Sequence, residues 1–327
     1  MSIGTLARWL GPWADATKAP SVVARDEMLD ELRVRIYEGP GTPFLIAPGL
    51  HYAGADDPRM DRFCRILAAA GHRVIAPFIP SYLALEPDTR AIDDFVRVAD
   101  AMPRWHAEPP VVFSISFGSL LAFAAAAARP GAFVRLVVFG GYADFEDTLE
   151  FCLTGEHRDP LNQPVVLMNL LEHVACADPA AVTAGWRAYV ERTWGRPEMK
   201  ARERFVAIAE ELAPSVPAEV RELFLVGIGA HPGAWELAEP ALAAFDARAL
   251  DPSPYLPRIR GRVDLVHGAD DDVIPFEESN ALAAALTAAD VRVHITGMYG
   301  HTGAAGPRLL ALPRELATMW RVLRVMS

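Results

Sequence analysis

Ser116 lies in Val111-Val112-Phe113-Ser114-Ile115-Ser116-Phe117-Gly118-Ser119, where an apolar run passes through a small-x-Ser-x-Gly turn into an Ala-rich stretch. A serine on so tight a strand-to-helix turn is pushed above the sheet. The residues two places to either side must be small, because strand and helix backbones come close there. Gly118 meets that need, and Ser114 stands where glycine is usual, adding only a hydroxymethyl group. A Ser hydroxyl is a weak nucleophile at its free pKa, so it needs a base within hydrogen-bond reach and an acid that orients the base. Two late stretches carry such groups: His267-Gly268-Ala269-Asp270-Asp271-Asp272-Val273-Ile274-Pro275, and Met298-Tyr299-Gly300-His301-Thr302-Gly303. Their order along the chain is Ser, Asp, His. Adjacent carboxylates otherwise form a solvated loop, and Asp144, which follows another apolar run, is an alternative acid.

Elements able to position these groups are legible from hydrophobic period and breakers. Leu32 to Tyr37, Pro43 to Ala47, Arg73 to Phe78, Val111 to Ile115 and Phe133 to Phe139 read as strands. Asp57 to Ala70, Ala91 to Trp105 and Gly118 to Ala128 read as the helices between them. The same rhythm returns late, with strands at Val263 to His267 and Val291 to Thr296 and helices at Glu277 to Ala288 and Leu309 to Val325. Strands nearly continuous in Val, Ile, Leu and Phe that alternate with helices imply a mostly parallel, doubly wound sheet covered on both faces. Between the two blocks strand signals vanish, and Pro164 to Cys176, Pro179 to Trp194, Met199 to Leu212, Ala218 to Leu225 and Trp235 to Phe245 read as helices. The expected division is a helical extension over 1–31, an α/β core over 32–144, a helical cap over 145–257 and a second core part over 258–327.

Composition bounds the function classes. With 327 residues, 52% hydrophobic and 22% charged, the chain can bury a sizeable core, and disorder is excluded. A net charge of −11 repels phosphate backbones, so nucleic acid is not expected as a partner. The apolar run Leu120 to Ala128 is far shorter than the about 20 residues a membrane span needs. Met1 to Trp13 lacks the form of a signal peptide, so a cytoplasmic protein is expected. Cys64, Cys152 and Cys176 are odd in number and widely spaced, which supports neither a disulfide framework nor a metal site. The segment Ile3 to Trp13 is compatible with a packing helix or with a contact in a homo-oligomer.

On these residues the sequence resembles the α/β-hydrolase fold family of serine hydrolases, from Leu32 to the C-terminus, with the central block matching only as a variable helical insertion. The resemblance implies Ser116 as nucleophile. It also implies Asp271 as the acid, at the matching place of a Gly-x-x-Asp-x-x-apolar-Pro loop, and His301 as the base beyond the last strand. It further implies an oxyanion hole from the backbone amides of Phe117 and Leu50, the latter in the loop Pro48-Gly49-Leu50-His51-Tyr52-Ala53-Gly54. His51, Tyr52 and Trp186 are candidate pocket residues. His51 otherwise packs against the sheet edge, and cap aromatics such as Trp186 are more often core. Family members that open epoxides or remove halides place Asp at the nucleophile position, which Ser116 argues against. The expected activity is hydrolysis of a small to medium, largely apolar carboxylic ester, with no cofactor and a small-molecule substrate. A carbon–carbon hydrolase, thioesterase, lactonase or acyltransferase would use the same residues, and a non-catalytic ligand-binding member is the alternative of a different class. The run Gly227-Ile228-Gly229-Ala230-His231-Pro232-Gly233 has the wrong glycine spacing for a dinucleotide loop.

Overall fold

The alternating apolar runs fold as strands and helices in the structure, a computed structural model that describes residues 17–297 and the two short strands Tyr299–Gly300 and Gly303–Ala304. One sheet holds β1 (Ala24–Leu29), β2 (Leu32–Tyr37), β3 (Gly41–Ala47), β4 (His72–Pro77), β5 (Val111–Ile115), β6 (Arg135–Phe139), β7 (Gly261–Gly268) and β8 (Ala289–Thr296). Their spatial order is β1-β2-β4-β3-β5-β6-β7-β8. Pairing is antiparallel between β1 and β2 and between β2 and β4, and parallel from β4 through β8. The central strands are buried along most of their length because helices cover both faces, which is why β3 and β5 read as unbroken apolar runs.

The helix Pro58–Ala69 starts where the Asp57 carboxylate accepts the Arg59 and Met60 amides, and the chain reverses at Gly71, whose φ is +111°. The expected helix Ala91 to Trp105 is divided: Arg90–Asp100 is α-helical, and a 3₁₀ turn follows over Met102–Arg104, where Pro103 cannot donate to a continuing helix. Within the 1–31 stretch, expected to be helical, the described residues 17–31 hold β1 and no helix. β1 carries almost no apolar alternation, and cross-strand charge holds it to β2: Asp26 accepts from Arg33 Nε and Arg35 Nε, each at 2.7 Å. Asp30, at φ +54°, makes the tight connection between the two strands. The segment Ile3 to Trp13 and the helix expected over Leu309 to Val325 lie outside the described residues.

Between β6 and β7 the chain is helical: Phe145–Thr154, Gln163–Leu170, Pro179–Thr193, Arg202–Leu212, Ala218–Ile228 and Ala234–Ala244, joined by 3₁₀ turns. Their apolar faces form one cluster that also takes in Leu120 behind the serine turn and Val273 and Ile274 of the Asp-rich loop. The insertion is therefore packed onto the loops at the carboxyl ends of β5 and β7. Within it, the backbone at Gly227 passes so close to Trp186 that a Cβ there would lie 2.3 Å from the indole. Gly229, left-handed at φ +78°, ends the same helix, so these glycines serve helix packing and helix termination. Among the described residues no helix is long and apolar enough to cross a membrane.

Candidate active site

Ser116 is held in the left-handed region at φ +53°, a conformation that costs a non-glycine residue energy unless its surroundings enforce it. The enforcement is visible. The Ser116 amide donates to Phe139 O at 2.8 Å, anchoring the turn to β6, and the Ser119 amide donates back to Ser116 O at 2.9 Å as the helix Gly118–Ala128 begins. A Cβ on Gly118 would lie 2.2 Å from Ala47 O, so the helix can start beside β3 only because that residue has no side chain. Ser114 is fully buried beneath the turn.

The loop after β3 meets this turn directly. A Cβ on Gly49 would sit 3.4 Å from Ser116 Cβ, so the loop carrying Leu50 abuts the serine. The Phe117 carbonyl accepts from the Tyr82 hydroxyl at 3.1 Å, and its ring packs against Tyr142 and Phe145 at centroid distances of 5.5 and 5.7 Å. Leu50 and Phe117, both half-buried, touch the apolar cluster of the insertion and the cluster beneath the sheet alike. Tyr52 also packs on the insertion, and its hydroxyl donates to Glu191 O at 3.4 Å.

His51 is engaged within its own loop. Its Nδ1 accepts the Ala53 amide at 3.1 Å, and its Nε2 lies 3.3 Å from Arg59 Nη2 and 3.5 Å from Asp57 Oδ2. The ring stacks on Tyr52 at 4.6 Å. Burial pulls the imidazole down to about 4, against the pull of the Asp57 carboxylate, so His51 is neutral at pH 7. The unfolded chain titrates near 6.5, so between the two values it binds more protons than the fold does. Stability contributed by neutral His51 should therefore be present above about pH 6.5 and be lost as pH falls toward 4. Replacing His51 by Gln should flatten the dependence of melting temperature on pH in that window, and an unchanged slope would refute the assignment.

The three adjacent carboxylates after β7 have separate fates. Asp270 is exposed. Asp271 is buried, and its Oδ1 accepts the amides of Val273 and Ile274, each at 2.9 Å. Asp272 turns toward the insertion, where Lys200 lies between it and Asp159. Asp144 instead caps the helix Phe145–Thr154 by accepting the Asp147 amide at 3.0 Å. His301 lies outside the described residues. The described histidine nearest Asp271 is His267, fully buried, with Nε2 3.4 Å from Asp271 Oδ2 and 2.8 Å from Ile274 O. A carbonyl only accepts, so Nε2 carries the proton, and Nδ1 accepts from the Ser279 hydroxyl at 2.7 Å. With both nitrogens occupied and no exposure, His267 supports the loop and is not placed to serve as a base.

Trp186 is not a pocket residue. It is fully buried in the insertion, its indole N–H donating to Phe224 O at 3.1 Å, because the helix Ala218–Ile228 lies flat against it. Sequence reasoning also missed Glu278, whose buried carboxylate accepts the amides of Ala143 at 2.6 Å and Asp144 at 3.0 Å and so ties the loop after β6 to the helix Glu277–Ala285. An acid in the first helical turn was the only local signal, and its partners are more than a hundred residues away.

No protein-family model and no curated protein matches the chain. Solved structures do resemble it. A lipase of Acinetobacter baumannii AYE, described as putative, is 12% identical and aligns over 99% of this chain and 98% of that one, with a TM-score of 0.47. The meta-cleavage product hydrolase of Pseudomonas fluorescens IP01 is 15% identical over 93% of this chain and 97% of that one, TM-score 0.48. The acylaminoacyl peptidase of Pyrococcus horikoshii is 12% identical over 87% of this chain, TM-score 0.45, and the match spans only 38% of the peptidase. The strand order, the left-handed serine on the turn after β5 and the helical insertion after β6 give this chain the fold of the α/β-hydrolase superfamily.

Proposed function

We propose that the chain is a serine hydrolase that cleaves a small to medium, largely apolar carboxylic ester through an acyl-enzyme. The observation that carries this reading is the strained Ser116, held at φ +53° on a strand-to-helix turn against the Gly49 backbone. Strain of this kind is retained where the surroundings over-determine it, and on such a turn a serine would present its hydroxyl above the sheet. Ser116 attacks the ester carbonyl, and His301 takes the proton and returns it to the leaving alcohol. Asp271 fixes the imidazole tautomer, and the Phe117 and Leu50 amides receive the developing oxyanion. The half-buried apolar side chains of Leu50 and Phe117 against the insertion's core favour an apolar acyl group. The helical insertion is the cap.

Exposure to a fluorophosphonate followed by peptide mapping tests the reading without knowledge of the substrate. One adduct on Ser116, lost in His301→Ala, is expected. An unmodified Ser116 in folded protein would overturn the assignment.

A further inference from the structure

The loop that carries Asp271 is gripped by the insertion at three points. The Asp159 amide donates to Asp272 O at 2.7 Å. The Cys152 thiol donates to Val273 O at 3.4 Å. Lys200 Nζ lies 2.9 Å from Asp159 Oδ2 and also donates to Asp272 Oδ2. Asp159 is only 2% exposed and has its other oxygen on the Leu161 amide, so Lys200 is the cation that balances a carboxylate removed from water. The gripped residues, Asp272 and Val273, belong to the backbone that in turn orients Asp271, whose Oδ1 accepts the amides of Val273 and Ile274.

We propose that Lys200 is a positioning residue for the acid of the catalytic triad: shared between Asp159 and Asp272, it locks the Asp271 loop to the cap, so that the geometry of the triad is set from the cap side. This rests on the reading of Ser116, Asp271 and His301 as a triad. A displacement of the loop by about an ångström would turn the Asp271 carboxylate from its partner and lower turnover about tenfold to a hundredfold, with little effect on substrate binding. Removal of the ammonium takes from Asp272 Oδ2 its Lys200 contact, and burial, which already pushes the Asp159 carboxyl up despite Lys200, then leaves that side chain inclined to take up a proton.

The test compares the parent with Lys200→Met, Lys200→Gln, Asp159→Asn and the Asp159→Asn/Lys200→Met double variant. p-Nitrophenyl butyrate is the substrate, and active sites are counted by fluorophosphonate labelling carried to its end point, which slower labelling leaves unchanged, so that misfolded protein does not enter. Each single variant should lower kcat per titrated serine about tenfold to a hundredfold and leave KM within about threefold. The double variant should be no worse than the poorer single one, because the two residues act as one unit. Lower melting temperatures with kcat per titrated serine unchanged would reduce the lock to a stabilising contact and overturn the proposal. A change confined to KM would overturn it too. If the parent itself is not labelled at Ser116, the triad reading falls and takes this inference with it, whereas a labelled parent with fully active variants refutes the lock alone.

Discussion

Ser116→Ala should leave a folded protein whose ester turnover is at least about a thousandfold below that of the parent, because loss of the proposed nucleophile removes the step that every other group in the proposed mechanism serves. The substitution removes one oxygen from a residue that is 6% exposed, and the anchors of the turn are backbone bonds that alanine keeps: the amide to Phe139 O and the carbonyl to the Ser119 amide. The melting temperature should therefore stay within a few degrees of the parent while activity collapses. Activity within about tenfold of the parent, after exclusion of contaminating esterase, would refute the role of Ser116. The proposed oxyanion hole of the Phe117 and Leu50 amides predicts residual turnover above the uncatalysed rate, since the substitution leaves both amides in place.

Gly118→Ala should be the most damaging single-methyl change in the strand-to-helix turn at Ser116, affecting stability and labelling together. Its Cβ would meet Ala47 O at 2.2 Å, Pro48 O at 2.6 Å and Ala47 C at 2.7 Å, and all three are backbone atoms that cannot rotate aside. Relief requires that the helix Gly118–Ala128 move away from β3, which pairs with β5 through Ala47 and Ser114. Overpacking of this kind costs on the order of 3 kcal/mol, and here the displaced backbone carries both Ser116, the proposed nucleophile, and the loop with Leu50. A lowered denaturant midpoint with unchanged slope, together with slower labelling of Ser116 in the folded fraction, is the expected result. A variant as stable and as rapidly labelled as the parent would show that strand and helix do not need this contact distance.

The strand-to-helix turn at Ser116, the parallel rhythm of the sheet and the order of candidate serine, acid and histidine are all legible in the residues alone. Each is a local matter: β5 is recognised by five adjacent residues, and the small neighbours of Ser116 by the steric demand of one turn. Which of the three adjacent aspartates is buried depends instead on what the insertion brings against the loop. Lys200, 72 positions before Asp272, draws that carboxylate to the insertion, while the amides of Val273 and Ile274 hold Asp271 inward. The fate of Trp186 was likewise hidden, since an aromatic residue in a helix has the same local pattern whether it faces a chamber or a neighbouring helix. Here the glycine at 227 lets the neighbouring helix close over it. β1 was illegible for the opposite reason: its stability comes from ladder bonds to β2 and from the Asp26 carboxylate between two arginines, and neither leaves an apolar period in the residues themselves.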